Sequence, residues 1–229
     1  MIDVPAGTIV VYSDTGCPWA HLAVHRLLST RAEMGLDNEV VLDHRPFALE
    51  LVNRQPTQKR ILDAEVPVLG GLDPSAGWQM WQGEEWAWPV TTLPAMEAVH
   101  AAKAQGLPAS EQLDRALRVA FFGLSRCISL RSEILDVAAG CPQVDVERLA
   151  AALDDGRARR AVMDLNRQAV EGGEVRGSPH LFLPDGTDCH NPGLDMRWEG
   201  RPGQGFPVIL QDDPSIYGDL LVRAARLAA

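Results

Sequence analysis

Apolar, mostly β-branched positions run from Thr8 to Tyr12 with no polar break beyond a threonine, the pattern of a strand buried on both faces. A tight turn follows at residues 13–16. Beyond it Leu22, Ala23, Leu27, Leu28 and Met34 mark an amphipathic helix. Pro18 suits the first helical position, where its missing N–H is no loss, and Gly35 suits the stop. Residues 39–47 read as a second strand, closed by Pro46. Strand, helix and strand joined this closely imply a parallel, right-handed unit.

Between residues 49 and 90 the pattern dissolves. Pro56, Pro67, Gly70, Gly71, Pro74 and Gly77 interrupt it, and Trp78, Trp81, Trp86 and Trp88 follow. A long loop is expected, its rings either packed onto the core or walling the turn near residue 17. Helical spacing then returns. Thr92 is expected to cap one helix (Pro94, Met96, Val99, Ala102), and Ser110 another (Leu113, Leu117, Ala120, Phe121, Leu124). Shorter helices are predicted at residues 131–139, 145–153 and 156–170. A strand pattern resumes over residues 175–183, and Pro184-Asp185-Gly186 predicts a hairpin into residues 187–190. Residues 191–207, with Trp198 and Arg201, read as a loop. An amphipathic helix is expected over residues 213–227, opening on Asp213-Pro214.

Composition narrows the function classes. At 229 residues the chain holds one enlarged domain or two small ones. A net charge of −10 argues against nucleic acid as a partner. No apolar run is long enough to span a membrane, and the first residues lack a basic segment followed by an apolar one. The chain is therefore expected to be cytoplasmic. Its four cysteines (Cys17, Cys127, Cys141, Cys189) are irregularly spaced, without a CxxC pair, so neither a disulfide framework nor a metal site is expected.

One of them stands apart. Cys17 falls where the strand turns into the helix, and a helix N-terminus lowers a thiol pKa from ~8.5 to roughly 3.5–7.5. Cys17 is thus the candidate nucleophile. His21, along the same helix, faces either solvent or the sulfur, where partial positive charge would stabilise a thiolate. His180 and His190 flank the predicted hairpin, as bases or ligands or simply hydrogen-bonded. His44 and Arg45 end the second strand, and Arg45 is suited to bind a carboxylate.

Cys17-Pro18-Trp19 between strand and helix, Arg45-Pro46-Phe47 closing the second strand and Gly177-Ser178-Pro179 opening a later one resemble the DsbA-like members of the thioredoxin superfamily. The sequence is most similar to the FrnE-like dithiol–disulfide oxidoreductases and the related 2-hydroxychromene-2-carboxylate isomerases and kappa glutathione transferases. The resemblance implies an α/β chain with a thioredoxin-like fold and a large all-helical insertion. Residues 1–50 and 172–229 would form the thioredoxin-like domain, and residues 51–171 the inserted one. It implies thiol–disulfide oxidoreduction, with Cys17, Pro18, Trp19 and a cis Pro179 as the catalytic set. Ser178, His21, His190 and Arg45 would surround the substrate, a disulfide-containing protein or a small-molecule thiol.

The family motif carries a second cysteine three residues after the first, where this chain has Ala20. A mixed disulfide at Cys17 then needs another thiol to resolve it. Glutathione or mycothiol would serve as a co-substrate, with no tightly bound cofactor. Cys189 is the internal alternative, since a hairpin brings its strand toward Pro179. Cys127 and Cys141 read as structural. Two other readings stay open: a thiol-cofactor-dependent isomerase or transferase, and a binding module that has lost dithiol redox chemistry.

Overall fold

In the computed structural model, which describes residues 2–201 and 203–225, the first apolar run forms strand β1 (Thr8–Ser13), every residue of it buried. Helix α1 (Pro18–Glu33) follows, and β2 (Val41–Pro46) pairs parallel to β1 from Thr8–Val41 to Ser13–Pro46. Strands β3 (His180–Phe182) and β4 (Asp188–His190) add antiparallel on the other side of β1, giving the order β2-β1-β3-β4. The central place of β1 accounts for its unbroken apolarity. β3 is shorter than its sequence pattern. Only three residues pair, directly after Pro179, which has no N–H to give a ladder.

Each face of the sheet has its own cover. Ile9, Val11, Leu42 and Leu181 meet Leu27 of α1 and Leu221 of α9 (Ile216–Ala225) on one side. Val10, Tyr12 and Phe182 meet Phe47, Val175 and Ala169 of α8 (Arg157–Gly172) on the other. Alternate residues of β1 thus serve opposite cores, as a period of two requires. The predicted continuation of the last helix to residue 227 lies outside the described residues.

Between β2 and β3 the chain is helical: α2 (Leu49–Val52), α3 (Lys59–Leu72), α4 (Leu93–Ala102), α5 (Leu107–Leu124), α6 (Arg131–Ala139), α7 (Val146–Asp154) and α8. Leu113, Leu117 and Phe121 of α5 anchor a separate core with Val99, Ile134 and Leu149. Among the described residues no helix is long and apolar enough to cross a membrane.

Three segments depart from the sequence pattern. The expected loop after residue 49 contains α3, in spite of Pro67, Gly70 and Gly71 within it. The buried stripe of Leu62, Val66 and Leu69 holds it helical. Trp81 and Trp88 pack edge to face at 5.1 Å and both lie against Phe121, so these rings pack the insertion, while Trp86 is 86% exposed. Residues 191–207 are not a loop. They supply β5 (Leu194–Glu199) and the start of β6 (Phe206–Asp212), an antiparallel hairpin apart from the main sheet. Leu194, Met196 and Ile209 turn inward from it. Finally, Ser110 caps nothing. α5 begins earlier, with Pro108 in its first turn, and the Ser110 hydroxyl donates to the Val99 carbonyl at 2.8 Å, tying α5 to α4.

Candidate active site

Asp14 builds the turn between β1 and α1. Its carboxylate accepts the N–H groups of Gly16 and Leu49, each at 2.8 Å, and its own N–H donates to the Ser178 hydroxyl at 3.0 Å. Arg118 of α5 reaches the same turn, donating to the Asp14 carbonyl at 3.0 Å and the Ser13 hydroxyl at 2.8 Å. Asp114, one helical turn earlier, holds Arg118 at 2.7 and 3.1 Å. Both charges are buried, so each depends on the other. Burial pushes the Asp114 carboxyl up, but Arg118 and His44 bring it below the usual carboxylate range. Gly16 is packed tightly: a Cβ there would stand 2.7 Å from Thr92 Cγ2.

Cys17 is the N-cap residue of α1, with Pro18 in the first turn. Its Sγ donates to the Ser178 carbonyl at 3.3 Å, across 161 residues of chain. The Ser178–Pro179 peptide is cis. His190 stands opposite His180 in the β3–β4 register and against Gly177, where a Cβ would come 2.6 Å from its Nε2. Cys17, Ser178, Pro179 and His190 therefore gather at one end of the sheet.

The sulfur is covered. Cys17 is 2% exposed and packs with Trp19, Ala20, Leu22 and Leu69, flanked by Leu49, Met196 and Ile209. Leu49 of α2 and Glu65 of α3 line the cavity at the sulfur, and the β5–β6 hairpin packs against the same cluster. Desolvation pushes the thiol up to about 12; hydrogen bonds from Ser178 and the Ala20 N–H oppose this, and the charges of Glu65 and Asp14 add to it. The expected thiolate is thus a protonated thiol here. The helix N-terminus is in place, but burial beside two carboxyl groups outweighs it.

Trp19 points its Nε1–H at Glu65 Oε1 of α3, 2.8 Å away. Burial raises Glu65 to about 7, with the Trp19 hydrogen bond opposing. Cys17, Trp19 and Glu65 line one cavity of about 150 Å³, together with Leu49, Thr57 and Ile61.

The remaining candidates lie as follows. His21 faces neither solvent nor sulfur: its Nε2 donates to the Ala76 carbonyl at 3.0 Å and its ring stacks on Phe122 at 4.8 Å. Desolvation, with Arg118 nearby, lowers it to about 3, so the ring is neutral and lends a thiolate no charge. Arg45 donates to Asp43 at 2.9 Å and lies over the Tyr12 ring, outside the cavity at Cys17. His180 is buried, accepting from the Arg176 N–H at 3.0 Å and donating to Asp188 at 2.8 Å. All four cysteines are free. Cys189 sits opposite Leu181 in the β3–β4 register, not opposite Ser178.

Sequence reasoning missed Asp14, Glu65, Asp114 and Arg118. The signal for three of them is a charge inside an apolar helical stripe: Leu62-Glu65-Val66-Leu69 on α3, and Leu113-Asp114-Leu117-Arg118-Phe121 on α5.

No curated protein sequence matches the chain. In fold it is similar to a probable DsbA oxidoreductase from Streptomyces coelicolor, with a TM-score of 0.65 at 18% identity over 95% of this chain and 89% of that one. The cytosolic disulfide reductase DsbM from Pseudomonas aeruginosa, solved with GSH, gives 0.63 at 18% identity over 96% and 100%. A 2-hydroxychromene-2-carboxylate isomerase gives 0.57 at 15% identity over 80% and 87%. The family model of the DSBA-like thioredoxin domain matches residues 8–199, from the start of β1 to the end of β5, and the chain belongs to that family.

Proposed function

We propose that this protein is a thiol–disulfide oxidoreductase that works with a single cysteine, reducing mixed disulfides with a second thiol taken from solution. The observation that carries this is the 3.3 Å approach of Cys17 Sγ to the Ser178 carbonyl at the head of α1. The Ser178–Pro179 backbone beside the sulfur offers an extended substrate an edge to pair with. Pro18 and Trp19 hold the first turn behind Cys17, and His190 borders the loop. Attack by the sulfur on R–S–S–R′ forms Cys17–S–S–R and releases R′–SH. A further thiol then attacks the R sulfur and returns Cys17–SH.

Ala20 removes the usual internal partner, and Cys189 is placed opposite Leu181 of β3 rather than beside Ser178, which favours a low-molecular-weight thiol as resolver. Glutathione is one candidate, since the Pseudomonas aeruginosa reductase was solved with it. Mycothiol is the other. That reductase is also described as cytosolic, and a reducing compartment is where such thiols are plentiful. We place this protein in the cytoplasm on that basis.

The test is to incubate the reduced protein with glutathione disulfide or mycothiol disulfide. Intact mass would be read for an adduct, and turnover of a small mixed disulfide followed with each thiol. An adduct confined to Cys17, turnover abolished by Cys17→Ser and turnover retained in Cys189→Ser are expected. A protein that forms no adduct and turns over no disulfide overturns the reading. Ala20 and the isomerase-like fold favour a second reading, thiol-dependent isomerisation or transfer. Thiol-dependent turnover of an electrophile without disulfide exchange would select it.

A further inference from the structure

We propose that Glu65, carried by α3 of the helical insertion, is the group that exchanges a proton with Cys17 as its sulfur enters and leaves a mixed disulfide. This rests on the disulfide-exchange reading and deepens it by supplying the proton path.

The need for such a group follows from the burial of the sulfur. A thiolate is both the attacking and the departing form of cysteine, yet Cys17 sits buried and protonated. No cation faces it. The charged groups around the sulfur are Glu65 from α3 and Asp14 from the turn. His21, next along α1, is turned toward Ala76, and Arg118 is spent on Asp14, Ser13 and Asp114. From the β5–β6 hairpin it is the apolar Leu194, Met196 and Ile209 that pack against this cluster. A proton leaving the sulfur therefore has two carboxyl groups to go to.

Geometry separates them. Each Asp14 oxygen already accepts a backbone N–H, one from Gly16 and one from Leu49. Glu65 has a single hydrogen bond among the described residues, from Trp19 to Oε1, and no ion pair. It opens onto the same cavity as Cys17. About 150 Å³ gives that shared cavity room for several waters. Burial also sets this carboxyl to titrate near neutrality, where a group both takes and returns protons efficiently.

The proton balance closes over one cycle. In the first half, the Cys17 proton passes to the Glu65 carboxylate while the sulfur bonds to R and R′–S⁻ leaves. R′–S⁻ then takes that proton and departs as R′–SH. In the second half, an incoming thiol gives its proton to Glu65 and attacks the R sulfur. The Cys17 sulfur leaves with the bonding electron pair and takes the proton from Glu65. Over the cycle the incoming thiol R″–SH alone is consumed: its sulfur ends in R–S–S–R″, R′ leaves as R′–SH, and Cys17 and Glu65 end as they began.

The experiment is the pH profile of the reaction of reduced protein with a dipyridyl disulfide, read by absorbance of the released thiopyridone. Wild type is expected to show an inflection near pH 7. Glu65→Gln should lose that inflection and react more slowly at neutral pH by roughly two orders of magnitude or more, and Glu65→Asp should retain an inflection. A Glu65→Gln profile of unchanged shape overturns the proposal while leaving disulfide exchange intact. Should Glu65→Gln not fold, the wild-type profile decides alone, since a steady rise with pH and no inflection also overturns it. A wild-type protein that never releases the thiopyridone defeats both this proposal and the functional reading beneath it.

Discussion

A methyl group added at Gly16 would collide with another methyl group: its Cβ would lie 2.7 Å from Thr92 Cγ2 at the head of α4. Gly16→Ala is therefore expected to destabilise the protein by about 1–3 kcal/mol. Thr92→Ser removes that Cγ2, so combining the two should recover part of the loss as a coupling energy in urea unfolding. Strict additivity would contradict the contact. Arg118 carries a heavier consequence. It is the partner of buried Asp114 and a donor to the turn before Cys17. Arg118→Met leaves that carboxylate unpaired, at a cost of about 3–5 kcal/mol, and a change within experimental error would show the charge finds water instead. At this scale Cys17, Ser178 and Pro179 were legible, because short motifs carry them. Glu65 and Arg118 were not, because a charge in an apolar stripe has meaning only once the opposing surface is known.

Two elements pack about the cluster that holds Cys17, and neither was visible as such in the sequence. Pro67, Gly70 and Gly71 hid α3, and prolines and closely spaced glycines hid β5–β6. Local breakers lost to burial: Leu62, Val66 and Leu69 in one case, Leu194, Met196 and Ile209 in the other. The first strand–helix–strand unit and helices α5 to α8 were readable because their periodicity is strong and uninterrupted. The direction of the Cys17 shift was misread for the same reason that the roof was missed. A helix N-terminus is a local property, whereas the cover arrives from residues far along the chain. Leu49→Ala thins the cover where Leu49 and Cys17 line one cavity. It is expected to lower the Cys17 pKa and speed alkylation by iodoacetamide, followed by intact mass. An unchanged rate would show that α2 does not limit access.

Across the whole molecule, all six histidines are held below their ordinary pKa, with burial the leading cause in each. A histidine depressed on folding takes up protons preferentially when unfolded. Its stabilisation is complete above the unfolded value of about 6.5 and is lost as pH falls toward the folded one. Glu65 and Asp14 act in the opposite sense, being raised by burial. Their contribution is present at low pH and is lost as pH rises, through about 7 for Glu65. The histidines are the more numerous, so Tm by calorimetry is expected to fall from about pH 7 to about pH 5. Glu65→Gln should raise Tm more on the alkaline side of neutrality than on the acid side, since only there does the wild type bury a charge. A Tm that climbs on acidification would contradict the histidine account.

The roof over Cys17 has a further consequence, for survival under oxidative stress. Peroxide converts a thiolate to a sulfenic acid, and unless a second thiol intercepts it, onward to sulfinic and sulfonic acids that are not readily reversed. A neighbouring cysteine is the common safeguard, and Ala20 denies it to this chain. Exclusion takes its place. At rest the sulfur is a buried, protonated thiol, the form that peroxide has least means to attack.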